Sequence, residues 1–438
     1  MYTERRHQLV RRMRDAVAIF FAAPETIRNN DVHHDYRQDS DLYYLTGFEE
    51  PECVLVVAPH RDAGDRVVMF LREKDPEREV WDGKRLGVDD AAATLGVDRA
   101  FSIETLEEKL PEYLHGATRL YHALGRPGRE RDDRLILAAL ATARRARRKG
   151  IDTPGDLLDP EPLIHELRLV KDDAALAAMK KAAALTARGH RRAMAVTRAG
   201  LREYQLRAAL EYAWGVRGSM RNAYQTIVGS GPNACVLHYR AGDRELLPGE
   251  LVLVDAGCEV DYHAADVTRT WPVDGRFTEP QRAIYALVLK AQKAAIDHCR
   301  PGRTFESVHD LTVKVLVEGL VELGLLDGKV DQLIEDETFK RFYMHRTSHW
   351  LGMDVHDVGG YHLRGTSRSL EPGMVLTIEP GLYIAPDDDT VDAKWRGIGI
   401  RIEDDIHVTD GAPEILTAEI PKEIDEIEAI VGTEKLAV

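Results

Sequence analysis

The chain has 438 residues, which at roughly 150 residues per domain suggests two or three domains with substantial cores. Apolar residues make up 44% and charged residues 30%, an ordinary globular composition that excludes a disordered or fibrous chain. Because 74 acidic residues outnumber 59 basic ones and give a formal charge of −15, we expect neither nucleic acid nor a membrane as a partner.

The apolar run at residues 16–23 follows a basic amphipathic segment and indicates a buried strand after a helix. A cleaved signal peptide is the alternative, since small residues end the run, which is too short to span a bilayer. Cys53, Cys235, Cys258 and Cys299 occur singly, without a CxxC pair or the spacing of secreted proteins. We therefore expect reduced thiols and a cytoplasmic protein.

The first third of the chain alternates β-rich runs (VAIFFAA, ECVLVVAP, RVVMFLR, RLYHAL) with helical stretches, the pattern of an α/β domain. Its last helix, over RLILAALATARRARRK, is predicted to be capped by Asp132 or Asp133. Residues 151–160 are rich in Pro, Gly and Asp, which predicts a linker. Beyond it, Asp172 opens an Ala-rich helical pattern that runs to about Thr197.

These signals predict two domains of mixed α/β class, one over residues 1–170 and one over residues 171–438. The second contains an internal repeat, because PGELVLVDAG (248–257) and PGMVLTIEPG (372–381) align without gaps. A repeated turn, strand, acid and glycine indicates two related half-domains, although coincidence is the alternative for two such segments.

Carboxylates stand where the apolar strands of this second domain end. Asp255 and Glu379 occupy matching positions of the repeat, and a carboxylate there needs a positive partner. In GIGIRIEDD, Arg401 and Glu403 share one strand face opposite isoleucines. Asp266 begins a second β-run that suits a hairpin returning beside Asp255, although a turn aspartate is the simpler interpretation of that residue alone.

Histidines accompany these acids, since HRTSHWLGMDVHD contains His345, His349 and His356, and LHY contains His238. Single histidines are mostly structural, but this composition is typical of a metal hydrolase site. Carboxylates with an imidazole form a hard, oxygen-rich set that suits Mn²⁺ and accepts Co²⁺ or Zn²⁺. Four negative charges fit two ions about 3.5 Å apart that share a nucleophilic water. The residues thus predict a dinuclear metal hydrolase.

Longer segments extend this prediction over nearly the whole chain. They are DYRQDSDLYYLTGFEEPE, VWDGKRLG, TIVGSGPNACVLHY, LVLVDAGCEVDYHAADVTRTWPV, YMHRTSHWLGMDVHDVGG, EPGMVLTIEPGLYI and RGIGIRIEDD. Through them the chain resembles the Xaa-Pro aminopeptidase (aminopeptidase P) family of pita-bread metallopeptidases. The resemblance implies a creatinase-like N-terminal α/β domain, a pita-bread catalytic domain with pseudo-twofold symmetry, and a homodimer or homotetramer.

The resemblance also implies five metal ligands, which are Asp255, Asp266, His349, Glu379 and Glu403. In that family Asp266 and Glu403 would bridge the two ions, and Glu379 would take and pass the proton of the nucleophilic water.

Other matching positions imply roles around the substrate. His238 and His356 would hydrogen-bond the scissile carbonyl and its developing oxyanion. His345, Tyr383 and Arg401 would hold ligands and substrate in place.

Three further residues concern substrate or assembly. Asp31 and Trp81 match family positions near the active site, Trp81 approaching a neighbouring subunit's site in oligomeric relatives, with loop solvation or core packing as the alternative. Arg346 departs from the glycine of many relatives, and its cation could narrow specificity or bind a substrate carboxylate.

The implied activity is release of the N-terminal residue from peptides whose second residue is proline. A dedicated site is needed, because proline offers no amide N–H and its ring restricts the backbone. One alternative is a prolidase, which has the same fold and metal ligands but a pocket limited to dipeptides. The other is a catalytically inactive peptide-binding module, which would be expected to have lost metal ligands.

Overall fold

The computed structural model describes residues 1–13 and 15–436. Contacts divide the chain into two compact units, Met1–Arg168 and Leu169–Val438. Among the described residues, no helix combines the length and apolar character needed to cross a membrane. The four cysteines are free thiols.

The first unit is an α/β structure. Its helices are α1 (Tyr2–Met13), α2 (Ser40–Thr46), α3 (Pro76–Asp82), α4 (Val88–Leu95), α5 (Leu106–Tyr113), α6 (Glu130–Ala143) and α7, which runs over Glu161–Leu169. Its strands are β1 (Ala16–Phe21), β2 (Ile27–Asn29), β3 (Val32–His33), β4 (Val54–Val57), β5 (Val67–Leu71), β6 (Arg99–Ser102), β7 (Arg119–Tyr121) and β8 (Asp156–Leu158). Six strands form one mixed sheet in the order β6-β5-β4-β1-β7-β8, while β2 and β3 form a hairpin.

Strand β1 is the buried strand that the apolar run predicts, paired antiparallel to β4 and parallel to β7. Its residues Val17 and Ile19 join the apolar core beneath α5 and α6. The predicted cap of α6 is wrong, because the helix begins at Glu130, so that Asp132 and Asp133 lie inside its first turn. There they face the positive end of the helix dipole instead of capping it.

Over residues 169–436, the second unit combines six helices with short strands. The helices are α8 (Asp173–Val196), α9 (Glu203–Gly215), α10 (Glu279–His298), α11 (Phe305–Glu322), α12 (Val330–Glu335) and α13 (Ile424–Ile430). The strands are β9 (Arg221–Asn222), β10 (Ile227–Ser230), β11 (Leu251–Asp255), β12 (Cys258–Val260), β13 (His263–Ala264), β14 (Thr268–Pro272), β15 (His362–Leu363), β16 (Thr366–Ser367), β17 (Val375–Ile378), β18 (Gly381–Tyr383), β19 (Gly399–Arg401), β20 (Asp404–His407) and β21 (Glu414–Ile415).

Helix α8 follows the sequence signals, since the Asp172 carboxylate accepts the Ala175 N–H at its start and Thr197 ends it. Three-stranded sheets then recur in the two halves of the unit, in the orders β10-β11-β14 and β17-β20-β21. The repeated sequence segments form β11 and β17, and each of these strands pairs antiparallel with a later strand of its own half. The glycine that follows the first repeat strand permits close packing, because a Cβ on Gly257 would overlap the Ala265 carbonyl.

A fully buried ion pair supports the strands of both halves. Arg269 of β14 and Asp404 of β20 are 0% exposed and lie 2.7 Å apart, Nη2 to Oδ1. Lys422 contacts the other Asp404 oxygen at 2.6 Å, and Thr417 and Gln292 also donate to this carboxylate. Burial alone would raise the pKa of Asp404, but Arg269 and Lys422 outweigh it and lower the pKa to about 2.

Because one member of a buried pair is costly to leave alone, Asp404→Asn is expected to lower the free energy of unfolding by about 3–5 kcal/mol. The matched control is Glu423→Gln, whose partner Lys293 is about half exposed, so its effect should be small since such pairs are screened by water. Urea denaturation followed by tryptophan fluorescence measures both. Equal effects of the two substitutions would contradict the structural role of the Arg269–Asp404 pair.

Candidate active site

The second unit contains a cavity of about 950 Å³ whose wall includes all five predicted metal ligands. Besides Asp255, Asp266, His349, Glu379 and Glu403, its wall includes His238, His345, Arg346, His356 and Arg401. The apolar and aromatic residues in its wall include Ile227, Leu237, Phe305, Val355 and Tyr361. The cavity therefore combines an acidic group of ligands with apolar and histidine-rich walls.

Strand register explains why acids distant in sequence meet here. Asp255 ends β11 opposite Thr268, two residues beyond Asp266. In the other half, β17 ends at Ile378, one residue before Glu379. Ile378 pairs with Asp404, the residue that follows Glu403. Each half therefore brings two carboxylates to the ends of paired strands, as the internal repeat predicts for Asp255 and Glu379.

His349 lies among these acids. Its Nε2 atom is 3.3 Å from Asp266 Oδ2 and 3.7 Å from Glu379 Oε1, and one ligand atom each of Asp266, His349 and Glu403 lies within 4.8 Å of the others. The Nδ1 atom lies 2.9 Å from the Trp350 carbonyl oxygen and donates to it. Nε2 is thereby directed at the carboxylates, and in the neutral ring its lone pair can bind a metal ion, the arrangement of an imidazole ligand with an oriented tautomer.

The acids are crowded enough to oppose one another's ionisation. Burial, with the neighbouring carboxylates, raises the pKa of Asp255 and of Glu403 and raises the pKa of Glu379 to about 7. Burial acts to lower the pKa of His349, but Asp266 and Glu379 outweigh it and raise that pKa to about 9. Divalent cations among these groups would reverse the shifts and keep every carboxylate ionised, so the donor set fits metal ions.

Arg401 supports three of the groups around this centre. Its Nη2 donates to Asp255 Oδ2 at 2.6 Å, its Nη1 to the Tyr383 hydroxyl at 2.8 Å and its Nε to Thr268 Oγ1 at 2.9 Å. Thr268 in turn donates to Glu403 Oε2 at 2.7 Å. One guanidinium thus contacts Asp255 directly and Glu403 through Thr268, and so connects carboxylates from both halves of the unit.

The same contacts define the state of His345. Its Nδ1 lies 2.8 Å from the Arg346 carbonyl oxygen and therefore donates, so Nε2 accepts from the Tyr383 hydroxyl 2.9 Å away. Burial and the nearby Arg401 lower the pKa of His345 to about 3, which keeps the ring neutral. Burial raises the pKa of Tyr383 to about 12, so its hydroxyl keeps the proton that it donates.

The two histidines predicted to face the substrate both line the cavity. The His356 ring meets that of His349 edge-on, with centroids 4.5 Å apart. Burial and His349 lower the pKa of His356, which favours its neutral form. His238 approaches from the exposed segment after β10. Both rings can therefore exchange hydrogen bonds with a molecule inside the cavity.

The remaining predicted positions are not part of the ligand cluster. Arg346 lies at the exposed part of the cavity wall, and its Nη2 is 3.4 Å from Glu306 Oε1. Asp31 and Trp81 belong to the first unit, where both are exposed and the Trp81 side chain is 84% accessible. For Trp81 the core-packing alternative is wrong, because α3 buries none of its residues.

Several contributing residues were absent from the sequence predictions. The Tyr224 hydroxyl donates to Asp255 Oδ1 at 2.6 Å, and the buried Asp405 carboxylate accepts the Asp266 N–H at 3.2 Å. Thr268 is the third. A signal existed for Thr268, because it lies two residues after Asp266 in the β-run predicted from the sequence, and alternate residues of a strand share a face. Tyr224 and Asp405 contact their partners only through the tertiary fold.

Comparisons with known proteins agree with this geometry. Residues 177–410 match the description "Metallopeptidase family M24", and residues 2–121 match "Aminopeptidase P, N-terminal domain". The Xaa-Pro aminopeptidase of Escherichia coli is 44% identical over 431 residues, which cover 98% of this chain and 97% of that protein.

Solved structures extend the likeness to the fold. The Pseudomonas aeruginosa aminopeptidase PepP matches with a TM-score of 0.95 at 50% identity, over 98% of this chain and 97% of the other. A zinc-substituted E. coli aminopeptidase P in complex with product matches with a TM-score of 0.95 at 44% identity, over 99% and 98%. The predicted α/β domain followed by a pita-bread catalytic domain is thereby confirmed, and the chain belongs to the aminopeptidase P group of metallopeptidase family M24.

Proposed function

We propose that this protein is a Xaa-Pro aminopeptidase, which hydrolyses the bond between an N-terminal residue and a proline at the second position. One observation carries the proposal: Asp255, Asp266, His349, Glu379 and Glu403 all line one cavity, and His238 and His356 line the same cavity. The relatives that match nearly the whole chain are named Xaa-Pro aminopeptidases, which favours this activity over that of a prolidase.

Two divalent ions, which we propose to be Mn²⁺ in the cell, would be held by those five residues. Oxygen-rich sites of this kind prefer Mn²⁺ and also accept Co²⁺ or Zn²⁺. When bound, such ions supply Lewis-acid charge and make a coordinated water acidic near neutral pH. The likeness to a zinc-substituted relative supports a site that takes more than one metal.

The chain's own residues then position the substrate and move the proton. His238 and His356 donate hydrogen bonds to the scissile carbonyl oxygen, where negative charge develops. Glu379 takes the proton from the attacking water and returns it to the proline nitrogen, which has no N–H of its own until the bond breaks. Arg401, Tyr383 and His345 keep these groups in place through the contacts described above.

The pocket is open enough for more than a dipeptide. A cavity of about 950 Å³ lies near the upper end of the range of ordinary ligand sites, which favours substrates that continue beyond the proline. Arg346 at its exposed wall is proposed to contact those later residues.

We further propose that the boundary near residue 170 separates the two domains and that the enzyme is cytoplasmic. We also propose that it is a homodimer or homotetramer in which Asp31 and Trp81 lie near an active site.

Peptide profiling after Mn²⁺ reconstitution tests the reaction. An Xaa-Pro-Yaa tripeptide is expected to release its first residue, while the matched Xaa-Ala-Yaa peptide should react much more slowly because the site is shaped for the proline ring. Chelation should abolish cleavage and added Mn²⁺ should restore it. Rapid cleavage of Xaa-Pro dipeptides with negligible tripeptide cleavage would instead establish a dipeptidase.

Metal analysis tests the ligand set. We expect two ions per chain in the parent and fewer in Asp255→Ala and Glu403→Ala, since each substitution removes a carboxylate from the ligand group. The control Asp425→Asn changes an acid whose side chain is 96% exposed and should retain the parent's metal content. Full activity of the parent protein without bound metal would contradict the proposed mechanism.

Removal of the proposed oxyanion donors tests the substrate side. His238→Ala and His356→Ala are each expected to lower kcat by about 100-fold or more, with little loss of metal, because neither imidazole is a proposed ligand. His298→Ala is the control, since that ring contacts Ser307 on neighbouring helix α11. Steady-state kinetics on one Xaa-Pro-Yaa peptide measures kcat for each variant. An unchanged kcat in both histidine variants would contradict their proposed role as oxyanion donors.

A further inference from the structure

The segment that carries His238 lacks the support of a strand or a long helix. Residues 231–250 connect β10 to β11, and in this fully described stretch the regular element is the short 3₁₀ helix Gly231–Cys235. His238 and Arg240 are both exposed and line the cavity. Leu237 packs against Ala234, Leu253 and Tyr383, but the exposed side chains of His238 and Arg240 need a further contact that restricts the segment.

The buried carboxylate of Glu203, the first residue of α9, makes such contacts on both sides of His238 along the chain. Its side chain is 0% exposed. Oε1 accepts from Ser230 N and Ser230 Oγ, both at 2.8 Å, and from Asn233 Nδ2 at 3.1 Å. Oε2 accepts from the backbone N–H of Arg244 at 3.2 Å. One acid thus ties the start of the segment to a residue six positions beyond His238.

Neighbouring groups reinforce this attachment. The Arg244 guanidinium pairs with both oxygens of Glu250 at 2.6 and 2.7 Å and donates to Ser230 Oγ at 3.0 Å. The backbone at Arg244 also accepts the Glu203 N–H at 3.0 Å. Burial and the nearby Glu203 carboxylate raise the pKa of Tyr239, the residue next to His238. The middle of the segment therefore lies close to the same carboxylate.

We propose that Glu203 is a positioning residue for catalysis, whose buried carboxylate fixes the 231–244 segment so that His238 faces the scissile bond. Hydrogen bonds to a charged acceptor are stronger than neutral ones. Fixing both ends of a loop before substrate binds also removes conformational entropy that binding would otherwise have to overcome. The part of the inference that concerns catalysis rests on the proposed function, whereas the ordering of the segment does not.

Glu203→Gln is the direct test, because it keeps the side-chain size but replaces one acceptor oxygen with an NH₂ group. Hydrogen exchange measured by mass spectrometry is expected to become about tenfold faster in peptides covering 231–244, and kcat/KM for an Xaa-Pro-Yaa peptide should fall by about tenfold or more. The matched control is Glu211→Gln on the same helix, which loses only an acceptor for Asn222 and should leave both quantities unchanged.

A double-mutant cycle separates positioning from general damage. In a His238→Ala background, Glu203→Gln is expected to cost less than about twofold in kcat, since the group it positions is already gone. In a His356→Ala background the full loss should remain. Losses that multiply equally in both backgrounds would overturn the proposal, as would unchanged exchange in the 231–244 peptides.

Two further outcomes are also informative. If the parent does not cleave Xaa-Pro peptides, the proposed function falls, and the exchange result alone then supports or overturns ordering by Glu203. If Glu203→Gln does not fold, Ser230→Ala and Asn233→Ala each remove one donor to the same carboxylate. Faster exchange confined to the 231–244 peptides in these variants would support the proposal, and exchange like that of the parent would overturn it.

Discussion

Four carboxylates enclosed in one cavity set the constraint on which the catalytic unit depends. Asp255, Asp266, Glu379 and Glu403 come together at strand ends, where burial and the neighbouring carboxylates raise the pKa of Asp255, Glu379 and Glu403. The protein places hydrogen-bond donors against them, with Arg401 serving Asp255 directly and Glu403 through a threonine. The protein's own cationic groups do not balance the negative charge of the four carboxylates, so the site favours the binding of divalent cations.

The groups around each buried acid determine the direction in which its pKa is shifted. Glu403 and Asp404 are adjacent and both buried, yet their pKa values move in opposite directions. Burial and then the neighbouring carboxylates raise the pKa of Glu403, whereas Arg269 and Lys422 contact Asp404, outweigh its burial and lower its pKa. A cavity-lining acid and a structural ion pair thus lie one residue apart, at the start of β20.

Much of the site was predictable because its residues mark the ends of recognisable strands. The repeat located Asp255 and Glu379, and strand alternation located Glu403 beside Arg401. The start of α8 followed from one capping aspartate. The contributions of Tyr224 and Glu203 were missed, because their partners lie tens of residues away and nothing local in the sequence distinguishes them from ordinary core residues. The start of α6 was misplaced for a smaller reason, since acids suit both a cap and a first turn.

The sequence by itself determined the class of domain, the apolar strands that end in acids and the ligand types that favour a hard divalent metal. Those properties are local, since periodicity and side-chain chemistry act over a few residues. Only the tertiary structure decided which acids share a cavity, that Asp404 instead pairs with Arg269, and which contacts hold the segment that carries His238. These outcomes depend on distances between groups far apart in the chain, and electrostatic and hydrogen-bond energies follow those distances rather than sequence separation.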